Sequence, residues 1–136
     1  MNRERFEQLV AMAVETLPEE FLTRLENIEV VVEDYPTQTQ LAETKLKRGD
    51  ILLGLYEGVP LTKRSHFYGM VPPDKITIFQ KPIESKCRGD VEITAEIQSV
   101  VQHEIAHHFG IDDARLKEIE KARTTRKKRA SNPKIG

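Results

Sequence analysis

Tryptophan is absent from the sequence, and the aromatic complement is three tyrosines and five phenylalanines. Cysteine occurs once, as Cys87, so no disulfide can close within the chain, and a reducing, cytoplasmic setting is the expectation. No apolar run approaches the length needed to cross a bilayer. The opening Met1-Asn2-Arg3-Glu4-Arg5 has none of the apolar stretch of a secretory signal. Internal repeats and an interdomain linker are also missing. What remains is a chain of 136 residues with 38% hydrophobic and 32% charged residues, sized for one domain with one core. The formal net charge of −1 hides an asymmetry. Arg123, Arg126, Lys127, Lys128, Arg129 and Lys134 fall in the last fourteen residues with no acid among them, leaving the rest strongly acidic. Residues 1–122 are therefore read as the domain and 123–136 as a basic, solvated tail, the one place where nucleic acid could be contacted through phosphate.

Against this background one stretch carries chemistry: Gln102-His103-Glu104-Ile105-Ala106-His107-His108-Phe109-Gly110-Ile111-Asp112-Asp113. Residues four apart lie above one another on a helix, so His103 and His107 project from one side. Two imidazoles so placed can bind one zinc ion at about 2.0–2.1 Å and leave room for a further ligand and a water. Glu104 follows the first histidine, where a carboxylate can act as base towards that water. Gly110 suits a left-handed helix end, after which the chain can return an acid to the metal. Asp113, six residues after His107, is the expected third ligand, and Asp112 the expected cap of the next helix. His108 points about 100° away from His107, onto what the pattern makes the core stripe, and is expected to be buried or to support a ligand. Cys87, a lone thiol in a polar stretch, is left out of the ligand set. Tyr56, His66 and Tyr68 precede the motif and are candidates for polarising a substrate carbonyl, although packing on the sheet is the plainer use of each.

The extended pattern resembles the metzincin motif, His-Glu-x-x-His-x-x-Gly-x-x-His/Asp, with Asp113 in the last place. No Met follows Asp113, so a Met-turn beneath the metal is not expected. Taken with Leu52-Leu53-Gly54-Leu55-Tyr56-Glu57-Gly58-Val59-Pro60-Leu61-Thr62 and Pro73-Asp74-Lys75-Ile76-Thr77-Ile78-Phe79, the motif resembles small bacterial zincin-like proteins, the minimal metalloproteases. That resemblance runs from the first helix to about Leu116. It implies a compact α+β zincin-like domain, a small mixed sheet packed on helices that include the motif helix. It also implies a zinc-dependent peptidase acting on peptides or proteins. A small metal-dependent nuclease and a non-catalytic metal-binding or protein-interaction module are the alternatives. No membrane association is expected.

The rest of the chain reads in order. Phe6, Leu9, Val10, Ala13, Val14 and Leu17 recur at helical spacing, predicting a helix over 3–16. Pro18 with Glu19 and Glu20 opens a second, ending near Glu26. Residues 27–33 are β-branched and read as a strand. Residues 36–50 read as a loop with a helical turn at 41–46, 51–57 as a strand, and 61–73 as irregular. Residues 75–80 read as a strand which Lys81-Pro82 would place at a sheet edge, where it could pair with an extended substrate. A loop over 84–89 and an N-cap at Asp90 lead into the motif helix, whose core stripe is Ile93, Ile97, Val100, Val101 and Ile105. A last helix is expected over 113–122.

Overall fold

The structure is a computed structural model, and it describes residues 1–44, 51–58, 73–112 and 114–121. The readings for 61–72, for the tail 123–136, and for Asp113, His66 and Tyr68 lie outside the described residues. Helix α1 (Arg3–Glu15) is capped by Asn2, whose side chain accepts from the Arg5 amide, and it buries Phe6, Leu9, Val10 and Ala13. Helix α2 (Glu19–Leu25) follows directly, with Pro18 in the capping place and two glutamates in its first turn. Strand β1 (Ile28–Glu33) then leads to α3 (Gln38–Glu43). This helix takes up 38–43 of the stretch expected as a loop and starts three residues before the helical turn expected at 41–46. Thr37 and Gln40 form a reciprocal capping box, each bonding the other's backbone N–H, so a polar stretch with no clear apolar period still starts a helix.

Strand β2 (Gly54–Glu57) begins three residues later than its apolar run suggests. Strand β3 (Asp74–Phe79) corrects a second expectation. The sheet order is β1-β3-β2, with β1 parallel and β2 antiparallel to β3, so β3 is central and has no free edge for a substrate. Its last four residues are buried on both faces, as a central strand requires. Lys81-Pro82 does not mark an edge because the chain turns at once into α4 (Gln80–Lys86), which also takes up part of the loop expected over 84–89. Pro82 sits in the first turn of that helix, where its missing N–H costs nothing.

The longest element is α5 (Gly89–Phe109), the helix of the motif. Asp90 is not its cap. Arg88 holds that place, and the Asp90 carboxylate instead pairs with Arg5 of α1 at 2.6 Å. Ile93, Ile97, Val101 and Ile105 enter one core with Phe6 and Ala13 of α1, Phe21 of α2 and Ile76 and Ile78 of β3. Val100 packs on this core from a half-buried position. Residues 114–121 are helical and add Leu116 and Ile119. The result is an α+β domain in which β2 lies along the motif helix.

One contact sets how closely they lie. A methyl group at Gly54 would collide with Val100 Cγ1 on α5 and stand 3.2 Å from the Thr77 carbonyl oxygen on β3. Glycine here is a spacing requirement. Gly54→Ala is expected to cost about 1–3 kcal/mol of stability by overpacking. Pairing it with Val100→Ala should recover part of the loss in urea denaturation, and an additive double mutant would rule the contact out as the cause.

Candidate metal centre

The second half of α5 presents two adjacent stripes at four-residue spacing. Ser99, His103 and His107 form one, and Val100, Glu104 and His108 the other. The first faces solvent at both histidines, which are exposed. His103 Nδ1 lies 2.7 Å from the Ser99 carbonyl oxygen. A carbonyl only accepts, so Nδ1 carries a hydrogen and Nε2 is the ring nitrogen left for another partner. A histidine anchored through one ring nitrogen presents the other as a ready ligand. His107 stands one turn further along the same side.

The second stripe is covered by β2. Gly54 meets Val100, and two residues on, the Tyr56 amide donates to Glu104 Oε1 at 2.8 Å. One turn further along the helix, the Tyr56 ring stacks on His108 with centroids 3.8 Å apart and planes 16° from parallel. The phenol of Tyr56 is 2.6 Å from Asp74 Oδ2 on β3. His108 is thus exposed at the end of the strand-covered stripe, which corrects the buried one of the two expectations for it. Tyr56 gives its phenolic hydrogen to Asp74, so the carbonyl-polarising part suggested for it is not the one this geometry serves. Phe109 closes the group edge-on to both rings, with the Arg24 guanidinium 5.1 Å above it.

Glu104 is half-buried under this cover. Burial pushes its carboxyl above the usual glutamate range, while the Tyr56 amide and the charges of His107 and His103 pull the other way without cancelling it. A cavity of about 240 Å³ lined by Leu53, Gly54, Ser99, His103 and Glu104 opens on one side of the pair. A separate cleft of about 920 Å³ is lined by Arg24, Tyr56, Asp74 and Phe109.

The helix ends as its glycine requires. Gly110 takes φ 72°, and the Ile111 amide returns to the Ala106 carbonyl at 2.8 Å. Asp112 caps the next helical stretch, its Oδ1 accepting from the Arg115 amide at 2.8 Å and its carbonyl from the Leu116 amide at 3.0 Å. Asp113, the remaining candidate, lies outside the described residues. Among the described residues, no three His, Cys, Asp or Glu side chains converge as a metal-holding group. Cys87 is remote from the motif, sixteen residues from His103 near the other end of α5, and its thiol is pushed up by burial and by Glu96 and Glu92. A protonated thiol is a poor zinc ligand. The donor set therefore suits zinc through two imidazoles, one of defined tautomer, with a carboxylate beside them.

Tyr56, Asp74, His108 and the Ser99 carbonyl are the parts of this arrangement whose place the motif does not announce. The one trace of it is His108 falling four residues after Glu104.

The family model for zincin-like metallopeptidases matches residues 25–123, most of the chain. The chain belongs to that family. Among solved structures, a conserved hypothetical protein from Thermus thermophilus shares the fold, with a TM-score of 0.50 and 22% sequence identity. The match covers 80% of this chain and 94% of that one. No curated protein matches the sequence.

The burial of Glu104 has a consequence for the metal-free protein. A carboxyl whose pKa is raised on folding leaves the folded state less stable once it is ionised. The cost is absent below the unfolded glutamate value near 4.5 and complete above the folded value. Metal-free Glu104→Gln, which keeps an oxygen for the Tyr56 amide, should be more stable than the parent at pH 7–8 and lose that advantage near pH 4. Equal urea midpoints at both pH values would contradict it.

Proposed function

We propose that the chain is a zinc-dependent peptidase in which His103, His107 and Asp113 hold the metal and Glu104 is the base. The observation that carries this reading is the pair His103 and Glu104: one ring anchored so that its free nitrogen faces outward, and one carboxylate held beside it by a backbone amide. Zinc held there would supply Lewis acidity and lower the pKa of a water. Glu104 accepts the Tyr56 amide at Oε1, so Oε2 is the oxygen left to hold a proton and release it to a leaving amine. A carboxyl shifted upwards suits a group that must both accept and release a proton near neutral pH. The cavity lined by His103 and Glu104 gives a substrate a way to the pair.

Residues 1–122 act as one domain in this reading, and 123–136 is an appended basic segment. The described residues include no helix long and apolar enough to cross a membrane, and the single thiol suits a reducing compartment such as the cytoplasm. The nuclease and non-catalytic readings differ in what a chelator removes: cleavage of nucleic acid, or nothing.

Purified protein should carry about one zinc per chain, and His103→Ala or His107→Ala should each remove it. Asp113→Ala should weaken zinc binding. Glu104→Gln should keep the zinc while losing chelator-sensitive cleavage of a peptide library. Undiminished cleavage by Glu104→Gln would remove Glu104 from the mechanism, and full zinc content in the double histidine variant would remove the site.

A further inference from the structure

The sheet has a second outer strand, and it lies on the far side from the motif helix. Among the described residues β1 pairs with β3 along one edge only, while β2 occupies the other flank of β3 against α5. Arg3 Nη1 reaches the Val32 carbonyl at 3.0 Å from α1, outside the sheet. Backbone groups alternate in direction along a strand, so those of Ile28, Val30 and Val32 turn away from β3. Exposed edges are usually protected by proline, lysine or a bulge. Ile28-Glu29-Val30-Val31-Val32-Glu33 has neither proline nor lysine, and its register with β3 runs unbroken from Ile28 to Glu33.

Beside this edge is a groove of about 560 Å³ between β1 and α1, with Val10, Val14, Val30 and Val32 among its walls. Glu7 and Glu15 stand on its helical rim. Glu29 and Glu33 point to the other face of the strand by alternation. Among the described residues none of these four carboxylates is in an ion pair, and the groove lining contains no base. The edge is therefore apolar towards the groove and carries unpaired carboxylates on both sides, with the Arg3 guanidinium, paired to Asp34, at its Val32 end.

That charge selects the occupant. A second copy would double the same carboxylates, and antiparallel self-pairing centred on Val31 would set Glu29 opposite Glu33, a destabilising like-charge pair. Nucleic acid is repelled outright. We infer that β1 and the α1 groove receive an extended segment of a partner protein that alternates apolar with basic residues, added as a further strand. Its backbone would pair with Ile28 and Val30, short of the Val32 carbonyl that Arg3 holds, its apolar side chains would enter the valine groove near Glu7 and Glu15, and its basic side chains would meet the exposed Glu29. The surface is separate from the proposed metal centre and does not depend on it.

The test uses the full chain and fluorescein-labelled peptides in fluorescence anisotropy. One probe alternates Val with Lys and Arg over about seven residues, spanning a strand of ordinary length. A second replaces the bases by Glu, and a third keeps the bases but carries Pro at the central Val. The first should bind, more weakly at high salt, and the other two should not. Glu7→Lys with Glu15→Lys, both at exposed helix positions, should weaken binding by about tenfold. Val30→Pro removes one outward amide and should abolish binding. If circular dichroism shows that variant unfolded, the charge-reversal pair decides. Equal binding of the Pro-interrupted probe would reduce the effect to charge attraction and overturn the added strand. Unchanged affinity in the charge-reversal pair would overturn the groove. Self-association that Glu7→Lys with Glu15→Lys strengthens would make a second copy the occupant and overturn the stated partner.

Discussion

The amide of Tyr56 and the absent side chain of Gly54 together bind β2 to the motif helix, and most of the site follows from that. Without a Cβ at Gly54 the strand comes close enough to Val100 for the next outward amide, two residues on, to meet Glu104. The same advance sets the Tyr56 ring over His108. A two-residue step on a strand, about 6.6 Å, nearly matches a four-residue step on a helix, about 6 Å, so Gly54 and Tyr56 face Val100 and Glu104 in turn while the Tyr56 ring reaches on to His108. The covered stripe holds the carboxylate still, while the uncovered one keeps His103 and His107 in solvent.

This division has an electrostatic result. A glutamate one residue from an exposed histidine on a bare helix would be well hydrated and strongly ionised. Under β2 it loses water on one side and gains a single N–H donor, an exchange that leaves its proton affinity above the usual range. His103 experiences the opposite, since its Ser99 contact fixes the tautomer while the ring stays in water. The two neighbours thus differ through their covering, one a shielded carboxyl and the other a solvated ring tied at Nδ1.

Patterns that act within a turn or two of helix were legible in the sequence. The one-sided projection of His103 and His107, the left-handed end at Gly110 and the capping by Asp112 are local, and so are α1, α2 and β1. The misreadings came from elsewhere. Thr37-x-x-Gln40 is a capping signal that was present but outweighed by the polar composition around it. Lys81-Pro82 does exclude a continuing central strand, but as the first turn of a helix, so it bears on where β3 stops and not on its place in the sheet. His108 lies on the stripe that β2 covers and not on the core stripe its period suggests, because a strand from about fifty residues earlier packs there, a long-range pairing no local period records. The Tyr56 amide is harder still, because every residue but proline carries one and only the sheet order decides which faces Glu104.

The central claim is that the anchored and exposed histidines bind one metal together. X-ray absorption at the zinc edge of zinc-loaded protein reads that environment directly. The account predicts two imidazole nitrogens at about 2.0–2.1 Å, oxygen in the remaining positions and no sulfur. A sulfur shell near about 2.3 Å, or a spectrum that keeps both imidazoles in His103→Ala, would contradict it.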